Sequence, residues 1–165
     1  MNIRKLTALD SESLKKLIEA IEGSLENKDF WLPINETSEI HFFDENWTEF
    51  YGLFEGERLV AASALFYNEH EFGESLSHLQ RKGCKTAEIG RSMVHPQYRG
   101  NNYLLKINTE MLKLAKSKGI ELVLATIHPQ NVPSQKSFQK LGFTKQCTYV
   151  KHGGFLRDIY TYDLT

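Results

Sequence analysis

The residues whose types and spacing most plainly offer chemistry lie in Val94-His95-Pro96-Gln97-Tyr98-Arg99-Gly100-Asn101-Asn102-Tyr103, where a strand passes through a short turn into a helix. A helix N-terminus presents unpaired backbone N–H groups and a partial positive charge, so this turn is suited to a phosphate. Arg99 adds a guanidinium, and Gly100 lets the backbone approach a ligand closely. Further along, Asn131 and Gly142 bracket a short helix as its caps. His95 and His128 fall at strand ends, where a lone histidine is most often structural. Cys84 and Cys147 lack metal-ligand spacing and read as reduced thiols, and no metal site is expected. No G-x-G-x-x-G follows a predicted strand, which argues against a dinucleotide-binding enzyme.

The elements that hold these residues follow from periodicity. Ile3 to Leu6 reads as a strand. A helix follows, with Leu14, Leu17, Ile18 and Ile21 on one face, Asp10 as its cap and Gly23 as its end. Phe30 to Pro33 is a packed loop, and a second helix starts near Glu36 to Ser38 and stops before Trp47. Phe50 to Phe54 and Arg58 to Phe66 flank Glu55-Gly56-Glu57 as a hairpin. Residues 68 to 84 are polar, with helix expected around Ser75 to Lys82. Thr86 to Val94 is a strand closed by His95-Pro96. A helix then runs from Gly100 to about Lys118, with Leu104, Ile107, Met111 and Leu114 on one face and Gly119 just past its end. Ile120 to Ile127 is apolar enough for a strand buried on both faces. After the short helix, Phe143 to Val150 and Leu156 to Leu164 are strands joined through Gly153-Gly154. Strands alternate with helices in one half and pair as hairpins elsewhere, so the class is α/β, or α+β with a mixed sheet.

With 165 residues, 41% hydrophobic and 25% charged, the chain is expected to form one domain, residues 1–165, of ordinary globular composition. Its longest apolar stretch falls far short of the roughly 18 residues a membrane span needs. No secretory signal is visible at the N-terminus, and a cytoplasmic location is the expectation. The net charge of −1 conceals a division. Residues 1–80 hold 6 Lys and Arg against 16 Asp and Glu, whereas residues 81–165 hold 14 against 5. Between Asp29 and Glu57 there is no Lys or Arg at all, a pattern that suits a cationic ligand or a solvated acidic surface.

The turn into the long helix resembles the first signature of the GCN5-related N-acetyltransferase (GNAT) family. Asn131, Ser134, Phe138, Gly142 and Phe143 fall at the spacing of its second, about thirty residues on. The element order matches too. The resemblance implies a central, mostly antiparallel sheet splayed between strands 4 and 5 and flanked by about four helices. It implies acetyl-CoA as cofactor and acetyl transfer to a primary amine by direct attack in a ternary complex. The backbone at Met93 and Val94 would hold the pantetheine arm and the acetyl carbonyl. Arg99, Gly100, Asn101, Asn102, Tyr103 and Leu104 would cradle the pyrophosphate, and Asn131, Ser134 and Phe138 would meet the cofactor arm. Glu88, six residues before Val94, resembles the general base of the family's histone-acetylating branch; its alternative is an edge-strand carboxylate paired with Arg91 or Lys85.

Two departures matter. Asn102 and Leu104 stand where the family's loop is small, and of the two only Asn readily tolerates positive φ. Phe138 stands where many members carry a tyrosine proposed to protonate the departing thiolate, leaving Tyr98, Tyr103, Tyr149 or water. The acceptor pocket, by the same resemblance, draws on the early helices and the last hairpin, here Phe30, Trp31, Glu36, Glu39 and the His152 to Phe155 loop. An acidic rim with aromatic walls favours a cationic small molecule or a lysine or N-terminal amine. Neither nucleic acid nor membrane is an expected partner, and a homodimer is left open. The alternative function is a catalytically weak acyl-CoA-binding regulatory module.

Overall fold

The computed structural model describes residues 1–81 and 83–164. In chain order its elements are β1 (Asn2–Lys5), α1 (Ser11–Ser24), α2 (Glu36–Glu39), β2 (Thr48–Glu55), β3 (Arg58–Phe66), α3 (Glu69–Ser77), β4 (Thr86–Val94), α4 (Tyr103–Ser117), β5 (Leu122–Ile127), α5 (Val132–Leu141), β6 (Thr144–Lys151) and β7 (Phe155–Asp163). The seven strands form one sheet in the order β1-β2-β3-β4-β5-β7-β6, as expected of a mostly antiparallel mixed sheet. Only β4 and β5 run parallel, and their ladder has three rungs, Thr86 to Leu122, Ala87 to Val123 and Glu88 to Leu124. Beyond Glu88 the two strands part. A parallel pair needs a crossover, and α4 supplies it.

The alternation of β3 assigns the faces. Ala62, Ala64 and Phe66 pack with Leu14, Leu17 and Ile21 of α1, together with Phe42, Phe50 and Met93. Ala61 packs with Ile107 of α4 on the other face, and Leu65 with Met111. On β5, Leu122 and Leu124 turn to Phe72 of α3, whereas Val123, Ala125 and Ile127 turn to α4 and α5. No helix among the described residues is long and apolar enough to cross a membrane.

Several boundaries differ from expectation. The Asp10 carboxylate does not cap α1, because it is engaged by the Arg4 guanidinium and the Thr7 N–H. These contacts hold its pKa well below the ordinary range, at about 2, with the Arg4 hydrogen bond the largest cause. Gly23 lies inside α1, not past it. The helix expected from near Glu36 to Ser38 to a point before Trp47 is a single turn, Glu36–Glu39, followed by turns. In the insertion, helix begins at Glu69 because the Asn68 side chain accepts from the His70 N–H at 2.8 Å, and it ends at Ser77. The expected Ser75 to Lys82 helix is therefore displaced, and its last residue lies outside the described residues. The long helix starts at Tyr103 and not at Gly100.

Candidate active site

The site is built where β4 and β5 separate. β4 carries a bulge at this point: Ala62 pairs with Met93 and Ala64 with Gly90, so Arg91 and Ser92 together oppose Ser63. Such an extra residue bends a strand and increases its twist. Arg91 takes φ +52, a left-handed conformation, and its guanidinium donates to Leu32 O at 2.5 Å and Pro33 O at 3.2 Å while lying 4.9 Å from the Trp31 ring centroid. Burial pushes its pKa down to about 10. On the opposite side the Ser92 hydroxyl meets Ser63 Oγ at 2.8 Å and accepts from Asn108 Nδ2 at 3.2 Å, which satisfies a fully buried Asn on α4. Gly90 is required by its surroundings. A Cβ there would lie 2.9 Å from the Phe66 ring, which packs directly over the strand.

Glu88 projects into the resulting cleft. It is only 6% exposed, on a central strand, so the surface ion pair with Arg91 or Lys85 is not formed. Lys85 Nζ instead donates to Lys118 O at 2.7 Å. The nearest cation is Lys151 Nζ, 3.9 Å from Oε2, and Oε2 has no hydrogen-bond partner among the described residues. Desolvation outweighs the Lys151 charge and raises the Glu88 pKa. A carboxylate held in this way is easier to protonate than one in water.

Phe30, Trp31, Asn131, Ser134 and Phe138 line the same cavity, so the structure unites these expected residues with Glu88. Asn131 stands at the N-terminus of α5 without a side-chain capping bond, contrary to the cap expected of it. Phe138 is buried edge-on against Phe143, with centroids 5.1 Å apart. Glu36 and Glu39 are exposed and lie outside the lining of this cavity. The carboxylates in the cavity are Glu88 and Glu71, the latter from the insertion. Tyr98, Tyr103 and Tyr149 do not line it either: Tyr103 donates to Glu55, Tyr149 pairs with Ser75, and Tyr98 stacks near Arg58. His128 does, tilted on Phe30, whereas His95 sits apart beside Arg58. The residues missed from sequence are Lys151, Arg157 and Arg91, which carried no motif.

The expected phosphate loop follows β4. The Met93 side chain is buried against α1 and Val94 packs with Tyr98 and Tyr103, which leaves their backbone along the edge of β4 that β5 has left. Gly100 takes φ +86 and Asn102 φ +58, as the tolerance of Asn for this region anticipated. The first helical amide with a backbone acceptor is that of Lys106, on Asn102 O at 3.1 Å, so the N–H groups of Tyr103, Leu104 and Leu105 have none. Arg99 reaches Ser24 Oγ at 3.1 Å beside them, and Asn101 donates to Tyr98 O at 2.9 Å. Left-handed backbone costs a β-branched residue about 1–2 kcal/mol. Asn102→Val is therefore expected to lower stability by that amount in urea unfolding, whereas Asn102→Gly leaves the midpoint nearly unchanged.

Comparison with solved structures places the same architecture elsewhere. A probable acetyltransferase from Staphylococcus epidermidis ATCC 12228 is 18% identical, with 99% of each chain covered and a TM-score of 0.75. A ribosomal-protein-alanine N-acetyltransferase from Brucella melitensis is 17% identical over 99% of this chain and 100% of that one, with a TM-score of 0.73. The third, yncA from Salmonella typhimurium, was solved with its cofactor acetyl-CoA and is 18% identical over 100% of this chain and 94% of that one, with a TM-score of 0.73. No curated protein sequence matches. Residues 14–143, most of the length and both signature segments, match the acetyltransferase (GNAT) family, and the chain belongs to that family.

Proposed function

We propose that the chain transfers the acetyl group of acetyl-CoA to a primary amine. The observation that carries this reading is Glu88: a buried carboxylate with a free oxygen, facing a cavity at the point where two parallel strands part. The residues fit the cofactor. The unpaired amides at the start of α4, the left-handed Gly100 and Asn102, and the Arg99 guanidinium suit a pyrophosphate. The open edge of β4 suits an extended amide-bearing arm, and Asn131, Ser134 and Phe138 form the facing wall. When bound there, acetyl-CoA supplies an activated thioester carbonyl.

The chain's own residues do the rest. Glu88 accepts the proton that an attacking amine must lose, a service worth ~10²- to 10⁴-fold in rate. Backbone N–H groups along the β4 bulge and its open edge stabilise the oxygen on which charge develops. Neither Cys84 nor Cys147 lines the cavity, in keeping with direct transfer to the amine and not through a thiol of the protein. No tyrosine lines it, so the leaving thiolate, with an ordinary pKa near ~8.5, takes its proton from water or from a lining group such as the Ser134 hydroxyl or protonated Glu88.

Calorimetric titration with acetyl-CoA tests the placement. Micromolar binding is expected, weakened about tenfold or more in Arg99→Ala, since a charge-assisted hydrogen bond contributes ~1.5–3 kcal/mol. Binding must be accompanied by amine-dependent release of free CoA thiol. Binding without release from any amine would replace the enzyme reading by that of an acyl-CoA-binding module, and absence of binding would remove both.

A further inference from the structure

The cavity holds charges that the fold does not settle among themselves. Lys151 pairs with Phe155 across the β6–β7 ladder and Tyr149 pairs with Arg157, so Lys151 and Arg157 are diagonal neighbours on one face of the sheet. Glu88 projects from the same face, beside Leu124. Lys151 is 3% exposed and Arg157 2%, yet neither is neutralised at hydrogen-bonding distance. Lys151 Nζ lies 3.9 Å from Glu88 Oε2, too far for a hydrogen bond. Arg157 donates to two backbone carbonyls, Leu156 O at 2.7 Å and Asp29 O at 2.6 Å, and makes no ion pair among the described residues. A guanidinium has five N–H donors, so three remain. Counting the half-buried Arg91, the lining carries these three cations against Glu71 and Glu88. Buried charge without a counter-ion is costly, and an anionic group on a ligand offsets that cost.

The spacing says what kind of ligand carries that group. An ammonium and a free carboxylate oxygen 3.9 Å apart, both turned to one cavity, are the counter-image of a molecule whose amine and carboxylate are separated by one or two carbons. We propose, on the reading that this site acetylates an amine, that the acceptor is a free amino acid: its amine meets Glu88, its carboxylate meets Lys151 and Arg157, and its side chain meets Phe30 and Trp31. In the transfer the amine lone pair forms the new N–C bond and the C–S electron pair leaves with sulfur. One amine proton passes to Glu88 and on to sulfur or solvent, giving an N-acetylamino acid and CoA. This replaces the cationic acceptor expected from the acidic stretch, whose Glu36 and Glu39 stand outside the cavity.

The test is CoA thiol release by the full chain with acetyl-CoA and each of the twenty L-amino acids, the carboxamides of the best of them, and spermidine. A site built to bind a polar group strongly rejects analogues that lack it. At least one free amino acid is expected to exceed its carboxamide about 100-fold in kcat/KM. Lys151→Met should raise KM for the acid about 100-fold more than it raises KM for the carboxamide, because only the acid loses a partner for its carboxylate. If Lys151 merely positions Glu88, the variant lowers acid and carboxamide alike, and the proposal falls. Turnover of carboxamides or spermidine at or above the acids overturns it while leaving acetyl transfer standing. Binding of acetyl-CoA with no turnover of any amine removes the transfer reading and this one together. The acid-to-carboxamide ratio of the unaltered chain needs no variant, so the outcome does not hang on whether Lys151→Met folds.

Discussion

Glu88→Gln should lower kcat/KM for the amine by about 10²- to 10⁴-fold while acetyl-CoA binding persists. It should also make the protein more stable at neutral pH. The folded-state pKa of Glu88 is raised above its ordinary 4.5, chiefly by desolvation. Folding therefore favours the protonated form, and the Glu88 contribution to stability is full below pH 4.5 and is lost as pH rises through the folded value. Gln, fixed as the neutral isostere, escapes that loss. Its stability advantage should be present near pH 7 and vanish as pH falls below about 4.5, which thermal melts across that range would show. In the unaltered chain the acid limb of the kcat/KM profile should lie above the usual carboxylate range, and Glu88→Gln should abolish it. A variant that loses activity and stability together at pH 7 would mean that Glu88 serves the fold and not the reaction.

Phe50→Ala carries the second large effect, on stability. Phe50 is 1% exposed and packs edge-on against Phe42 at 5.0 Å and Phe66 at 6.4 Å. Truncating a buried phenylalanine costs about 3–5 kcal/mol, a large part of a typical total of ~5–15. For a chain of this length the melting temperature should fall by roughly 6–20 °C. The damage reaches the site, because Phe66 both rests on Phe50 and covers Gly90 in the cavity wall. Binding of acetyl-CoA below the melting temperature should weaken in Phe50→Ala more than in a variant of an exposed residue such as Leu9, which is 96% exposed.

The parts of this architecture legible in the sequence were those with local causes. β4 and β3 have the expected bounds, since His95-Pro96 ends one and the Gly56 turn starts the other. The signatures placed Arg99 to Leu104, Asn131, Ser134 and Phe138 in two neighbouring segments, and the second of these lines the cavity with Glu88. What sequence could not show was set by long-range pairing. Lys151 and Arg157 sit on strands whose only local pattern is alternation: Arg157 takes its face from the pairing of β7 with β5, and Lys151 comes to the same face through the register shift between Lys145 and Cys147. The acidic stretch left its facing open for the related reason that charge along a chain does not say which way a loop faces. Glu36 and Glu39 turn to solvent, while Glu71, from an insertion with no motif, turns inward.

The three-rung ladder between β4 and β5 also has a mechanical consequence. β2–β3, β5–β7 and β6–β7 are each joined by six to eight paired residues. The β4–β5 seam is the shortest ladder of the sheet, and the side-chain packing of Leu65, Ala87 and Ile89 with Met111, Val123 and Tyr160 holds its two sides together. Glu88 stands at the last rung of that seam, where backbone pairing between the two halves of the sheet ends. Past that rung the width of the cleft is set by side-chain packing on α4 and α5 and not by strand hydrogen bonds, so substitutions at Met111 or Phe138 bear on the cleft although neither residue belongs to the sheet.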